Sequence, residues 1–179
     1  MIKTVPNVTF KIRERDDSIG GDNPFKWVEK NVKDLFKNKN VILFSLPGAF
    51  TPTCSTYQLP DFDKLYDEFS KLGIDDIYCI SVNDSFVMNA WAKLHKIEKI
   101  KVIPDGNGEF TRKMGMLVNK NNLGFGQRSW RYAALINDCE IVESFIEKGF
   151  EDNCEDDPYE ISSPQNILNF MKEKKKLAV

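Results

Sequence analysis

Hydrophobic positions change period several times along the chain, and each change marks an element. Val8, Phe10 and Ile12 alternate with polar residues, which predicts a first strand with one buried face. The stretch DDSIGGDNP then reads as a turn, with Gly20, Gly21 and Pro24 as breakers. VILFSL, 41–46, is an unbroken apolar run, as expected of a central strand covered on both sides. After PGAFTPTC, the residues Leu59, Phe62, Leu65, Tyr66, Phe69 and Leu72 recur at three- and four-residue steps. They predict one amphipathic helix, stopped by Gly73. DIYCISV, 76–82, predicts another strand. Asn83, Asp84 and Ser85 follow as caps, and then a helix with Val87, Ala90, Trp91 and Leu94 on one face. IKVI, 100–103, is a short strand ended by Pro-Asp-Gly, and a helix is expected over 109–117. WRYAALI (130–136) and EIVESFI (140–146) flank Asn137-Asp138-Cys139 as a hairpin. Ser162 with Gln165 has capping-box spacing ahead of Ile167, Phe170 and Met171, a last helix.

Strands that alternate with helices and close on a hairpin indicate an α/β protein, a mixed central sheet with helices on both faces. A thioredoxin-like fold fits that order, and the pattern alone leaves a flavodoxin-like arrangement open. There is no internal repeat and no domain-scale linker, so residues 1–179 are expected to form a single domain.

Composition narrows the function classes. Hydrophobic residues make up 41% and charged residues 29%, which excludes disorder or a fibrous repeat as a global description. Lys+Arg 25 against Asp+Glu 27 gives a net charge of -2, not the basic excess of a nucleic-acid-binding surface. No apolar run approaches the ~20 residues of a membrane span, and the N-terminus lacks the apolar block of a secretory signal. A cytoplasmic location is expected, or an organelle if a leader precedes Met1. Cys54, Cys79, Cys139 and Cys154 stand too far apart for the paired ligand spacing of a structural zinc, so no metal is expected. In a reducing compartment four cysteines suggest thiol chemistry or buried thiols. A Cys/His nucleophile pair would have to use His95, the single histidine, which reads instead as a surface residue ending its helix.

Cys54 is placed differently from the other three. It follows a buried strand, a Pro-Gly-Ala-Phe turn and a Thr-Pro-Thr helix start, with Thr51 a plausible N-cap and Pro52 suited to the first helical position. It therefore falls in a first helical turn, where unpaired N–H groups and the helix dipole favour a thiolate. A thiol with pKa ~8.5 is about 3% ionised at pH 7, and one with pKa ~6 about 90%. The bland alternative is a cysteine that only packs at a helix base.

PGAFTPTC is the Pro-x-x-x-Thr-x-x-Cys signature of the peroxiredoxins, with Pro47, Thr51 and Cys54 at the required offsets. Its wording, together with CISVNDSFVMNAWAK, IPDGNGEFTRKMGMLVNK and LGFGQRSWRYAALI, resembles the type II or peroxiredoxin-5-like subfamily over nearly the whole chain. The likeness is strongest to the peroxiredoxin half of bacterial peroxiredoxin–glutaredoxin fusions. The resemblance implies a thiol peroxidase for hydrogen peroxide and alkyl hydroperoxides, with no cofactor. Cys54 would be the peroxidatic cysteine, and its thiolate would become a sulfenic acid. Thr51 would orient peroxide and sulfur, and Pro47 would shield the sulfenate. Arg131 would stabilise charge on the leaving oxygen. The backbone N–H groups of Thr53 and Cys54 would complete the substrate site. Arg128 reads as a solvated loop charge.

The resemblance also frames how the enzyme is reset. Cys79, in the apolar IYCIS run, matches a proposed resolving cysteine of plant members but reads rather as a small buried hydrophobe, since attack on Cys54 would require local unfolding. Cys139 reads as an exposed bystander. Cys154 lies roughly where animal members carry a resolving cysteine, but six acidic neighbours, Asp157 among them, would make it a poor attacking thiolate. A one-cysteine mechanism recycled by glutathione and a separate glutaredoxin is expected, because no glutaredoxin segment precedes KEKKKLAV. Thioredoxin acting with Cys79 or Cys154 is the alternative reductant. A redox relay that passes oxidation to partner proteins is the alternative function. A homodimer is expected by analogy. Trp91, Met88, Met114 and Met116 read as packing, and Lys172 to Lys176 as a solvated helix end.

Overall fold

A computed structural model describes residues 2–177. The elements run in chain order. β1 (Thr9–Arg15), β2 (Phe25–Asn31) and α1 (Val32–Phe36) precede β3 (Asn40–Ser45). A π-helical turn over Cys54–Gln58 leads into α2 (Leu59–Lys64) and α3 (Tyr66–Lys71). β4 (Asp76–Ser81), α4 (Ser85–Leu94), β5 (Lys101–Pro104) and α5 (Glu109–Lys113) follow. The chain finishes with β6 (Leu117–Asn119), β7 (Gln127–Ser129), β8 (Tyr132–Asn137), β9 (Glu140–Ile146) and α6 (Pro164–Leu177).

The main sheet has the order β5-β4-β3-β8-β9. β3 runs parallel to β4 and antiparallel to β8, and β8 runs antiparallel to β9. β8, running against the other four strands, removes the flavodoxin-like option, since that arrangement is parallel throughout its core. The expected mixed sheet is present. Its alternation explains the two layers around it. Ile42 and Phe44 face a core with Phe62, Phe69, Met88, Trp91, Ile167 and Leu168, from α2, α3, α4 and α6. Val41 and Leu43 face the opposite core with Leu35, Phe36, Phe110 and Met114, from α1 and α5.

Several elements depart from the sequence pattern. The periodic stretch ending at Gly73 is broken into three consecutive pieces. Pro60 has no N–H to bond the Thr56 carbonyl, so the chain opens into the π-turn, and Leu65 interrupts it again at φ -90, ψ 4. The apolar face of α4 is rotated: Met88 and Trp91 are buried while Leu94 is 65% exposed. Asp84 does cap that helix, accepting from Val87 N at 2.9 Å. α5 is shorter than expected, because Gly115 turns left-handed at φ 72 and lets the chain reverse. The last helix is capped by Ser163, whose Oγ accepts from Asn166 N at 3.3 Å. Ser162 Oγ donates instead to the buried Glu147, at 2.7 Å.

β2, α1, β6 and β7 carry no strong periodic signal. β2 pairs with β1 and β6 with β7, each as a separate two-stranded sheet. The expected hairpin forms, with Asp138 and Cys139 at φ 45 and 69 in its turn. Among the described residues no helix is long and apolar enough to cross a membrane.

Phe62 ties the helix that follows Cys54 to the sheet. Its ring stacks on Phe44 at 4.0 Å and on Phe69 at 6.2 Å, and it is fully buried. Phe62→Ala is expected to cost about 3–5 kcal/mol of stability, read from the midpoint of denaturant unfolding.

Candidate active site

β3 ends at Ser45, and Leu46 to Phe50 turn the chain toward the helix. The turn is fastened from two sides. Ala49 N donates to Asn83 Oδ1 at 3.0 Å, and Thr51 Oγ1 donates to Gly48 O at 2.7 Å. Pro47 is buried, and Phe50, at φ 65 and 51% exposed, projects from the turn. Thr51 heads the helix, since its carbonyl accepts from Ser55 N at 3.0 Å. Its hydroxyl is committed to Gly48 and does not cap the first turn. Thr53 lies in helical geometry at φ -61, ψ -39.

Cys54 opens the π-turn and is fully buried. The wider turn puts Cys54 and Gln58 on the same partner. Arg131 Nη1 reaches Cys54 Sγ at 3.4 Å and also donates to Gln58 Oε1. Gln58 Nε2 donates back to Ser45 O at 3.4 Å, which fixes the amide between the strand end and the guanidinium. Trp91 Nε1 donates to Ser55 Oγ at 3.0 Å and braces the turn from α4.

Arg131 is 1% exposed and sits between β7 and β8. Its position follows from register: Tyr132 pairs with Ser45, so the preceding residue lies beside the turn that carries Cys54. Nη2 forms an ion pair with Asp157, and the guanidinium carbon lies 5.6 Å from the centre of the Tyr159 ring. Burial alone would push the guanidinium pKa down. The negative partners Cys54 and Asp157 outweigh it and hold the group charged.

Of the residues read from the sequence, the structure thus brings Arg131 onto Cys54, with Pro47 and Thr51 in the turn that leads to it. Asp157 and Gln58 are the additions. Asp157 belongs to the acidic run around Cys154, and Gln58 lies just ahead of the periodic stretch that begins at Leu59. Nothing in the spacing alone distinguishes either one. Arg128 is corrected: it is half-buried, donating from Nε to Phe125 O at 3.0 Å. A side chain at Gly48 would begin 2.8 Å from Arg128 Nη1 and crowd it off the turn.

The remaining thiols are unbridged. Cys79 is fully buried in the same core cluster as Cys54. Burial, with a smaller push from Cys54, holds its thiol pKa well above the ordinary range. Cys154 is buried against Val118 and Trp130, and its carbonyl accepts from Lys120 Nζ at 3.1 Å. Its side chain is therefore packed among apolar neighbours. Cys139 is half-buried, more covered than a bystander in a turn needs to be. His95 stacks edge-on against Trp91 at 6.0 Å, outside the thiol pocket. Among the described residues no His/Cys/Asp/Glu group is arranged to hold a metal ion.

A buried sulfur at a helix start, fixed against an arginine, suits nucleophilic thiol chemistry. Comparison with known proteins agrees. The Redoxin family model matches residues 26–160. A peroxiredoxin of Rhizobium etli is 65% identical over 172 residues, covering 96% of each chain. The hybrid peroxiredoxin hyPrx5 of Haemophilus influenzae is 50% identical over 169 residues, spanning 94% of this chain and 65% of that one. Among solved structures, the Plasmodium falciparum antioxidant protein, a 1-Cys peroxiredoxin, superposes with TM-score 0.88 at 42% identity. That match covers 95% of this chain and 98% of the other. With the thioredoxin-like sheet and the Cys54 pocket in place, the chain belongs to the redoxin family and is a peroxiredoxin-5-like peroxiredoxin, a thiol peroxidase.

Proposed function

We propose that Cys54 is the peroxidatic cysteine of a one-cysteine peroxidase for hydrogen peroxide and small alkyl hydroperoxides, recycled by glutathione and glutaredoxin. The observation that carries this is the 3.4 Å contact between Arg131 Nη1 and Cys54 Sγ in a pocket closed to solvent. The thiolate attacks the terminal peroxide oxygen. An S–O bond forms as the O–O bond breaks, and the departing hydroxide or alkoxide takes a proton to leave as water or alcohol. Arg131 holds positive charge beside the oxygen that gains electrons. Thr51 Oγ1 has committed its hydrogen to Gly48 O, so it offers lone pairs to the peroxide O–H. Backbone N–H groups of Thr53 and Cys54 complete the substrate contacts, and Pro47 shields the sulfenic acid.

Glutathione then displaces water from the sulfenic sulfur, and a glutaredoxin thiolate removes the glutathione. Two observations support this over an internal disulfide. Cys79 is sealed in the core and held as a thiol, a poor attacking species. Cys154 is buried under Trp130 on a segment pinned to Asn119 and Lys120. The two-cysteine, thioredoxin-dependent reading draws on Cys79 lying in the same buried core cluster as Cys54. We read the chain as one cytoplasmic peroxidase domain. Phe50 and Phe86 flank the Ala49–Asn83 bond and are both more than half exposed, an apolar rim suited to a homodimer across the active-site face.

The test is peroxide turnover with glutathione alone, with glutathione plus glutaredoxin, and with thioredoxin, in the wild type, Cys79→Ser and Cys154→Ser. Turnover is expected with glutathione plus glutaredoxin in all three proteins. Thioredoxin-driven turnover that disappears in either variant overturns the one-cysteine reading. Slow turnover with every reductant, together with a trapped mixed disulfide to a protein client, identifies a relay instead.

A further inference from the structure

Asp157 lies on the segment between β9 and α6 and is tied to Arg131 on the side away from Cys54's own contact. The segment is not a free rim. Upstream, the Asp152 carboxylate accepts from Asn119 N at 2.7 Å and Nδ2 at 2.9 Å, and Asn153 N donates to Asn119 O at 2.7 Å. Downstream, Glu160 N donates to the buried Glu147 at 2.9 Å. Between these anchors Pro158 restricts the backbone, and Tyr159 lays its ring beside the guanidinium. A guanidinium is a rigid plane with its donors in a fixed fork. Fixing Nη2 and one face of the plane therefore fixes the direction of Nη1.

We propose that Asp157 and Tyr159 are positioning residues for the peroxidase reaction. They aim Arg131 Nη1 at Cys54, and the Asp157 carboxylate takes up part of the arginine's charge so that the thiolate is not over-stabilised. This rests on the reading of Cys54 as the reacting thiol. One cation serves two anions, the carboxylate and the thiolate. If the carboxylate's charge is removed and its shape kept, the whole cation faces the sulfur. The thiolate then forms at lower pH, because a nearby negative charge no longer opposes it. A thiolate that is easier to form is also a weaker nucleophile. Charge and aim thus move separate observables: Asp157→Asn alters the first, and Asp157→Ala alters both.

The experiment follows thiolate ultraviolet absorbance against pH, and single-turnover peroxide reduction, in the full chain. The variants are Asp157→Asn, Asp157→Ala, Asp157→Glu, Tyr159→Ala and Cys54→Ser. Asp157→Asn is expected to lower the pH of half-ionisation by roughly half to one unit. It is also expected to reduce the rate at full ionisation about two- to threefold. Asp157→Ala is expected to lose about tenfold or more through misaimed contact, with Tyr159→Ala similar and Asp157→Glu within about threefold of the wild type. Asp157 variants that melt earlier but keep the wild-type ionisation midpoint and rate overturn the inference, since a purely structural brace would act that way. Those two failures are separable. Full activity in Cys54→Ser removes the underlying reading, whereas an inactive Cys54→Ser beside wild-type-like Asp157 variants removes only the positioning role.

Discussion

Cys54→Ser is expected to leave a folded protein that consumes peroxide no faster than buffer. The substitution changes one buried atom for a smaller one, so the pocket against Arg131 and Gln58 should survive. The chemistry should not. A serine hydroxyl beside Arg131 stays protonated at neutral pH, and no histidine lies in the pocket to take its proton, since His95 packs on Trp91. Peroxide consumption followed in single turnover, with circular dichroism to confirm the fold, checks this. Activity above background would move the reacting sulfur to another cysteine, and Cys79, held as a buried thiol, is poorly suited to take the role.

Arg131→Met is expected to lower the rate constant for peroxide reduction about 10²–10³-fold, comparable to removing one preorganised donor from a dry site. Methionine fills part of the volume but presents no N–H to Cys54 or Gln58 and no charge to Asp157. Asp157 is half-exposed and can be solvated once its partner is gone, so the loss should fall on catalysis more than on folding. Arg131→Lys restores a charge but not the fork, and should recover only part of the rate. Stopped-flow peroxide reduction measured with all three side chains checks the order Arg above Lys above Met. An unchanged Arg131→Met rate would detach the arginine from the reaction.

Strong period and strong local chemistry were what made elements legible. β3 and β4 are continuous apolar runs because both of their faces are covered. Asp84 is readable as a cap because a carboxylate three residues ahead of an N–H is a local device. The hairpin turn is readable because Asn137-Asp138 is turn chemistry between two apolar runs, although positive φ falls on Asp138 and on Cys139, which the pattern does not single out. Where these signals were absent, reading by position failed. The three-residue strands β6 and β7 form only because they find each other. Ser162 and Ser163 are equivalent by spacing, and the buried Glu147 claims one and leaves the other to cap. Leu94 fits a helical stripe, but the buried face of α4 runs through Ser85, Met88 and Trp91 and leaves it exposed.

The same division holds for the site. By itself the sequence determined the class of chemistry: the Pro47–Thr51–Cys54 spacing is a local motif whose residue types carry their meaning, and the family resemblance adds Arg131. The tertiary structure alone decided what surrounds them. Tyr132 pairing with Ser45 brings Arg131 to the sulfur across 77 residues. A loop anchored on Asn119 delivers Asp157 to the far side of the same guanidinium, and Trp130 and Val118 turn Cys154 inward. Those partners are chosen by register and by the burial of neighbouring apolar groups. Both are sums over distant contacts, which no short window of sequence contains.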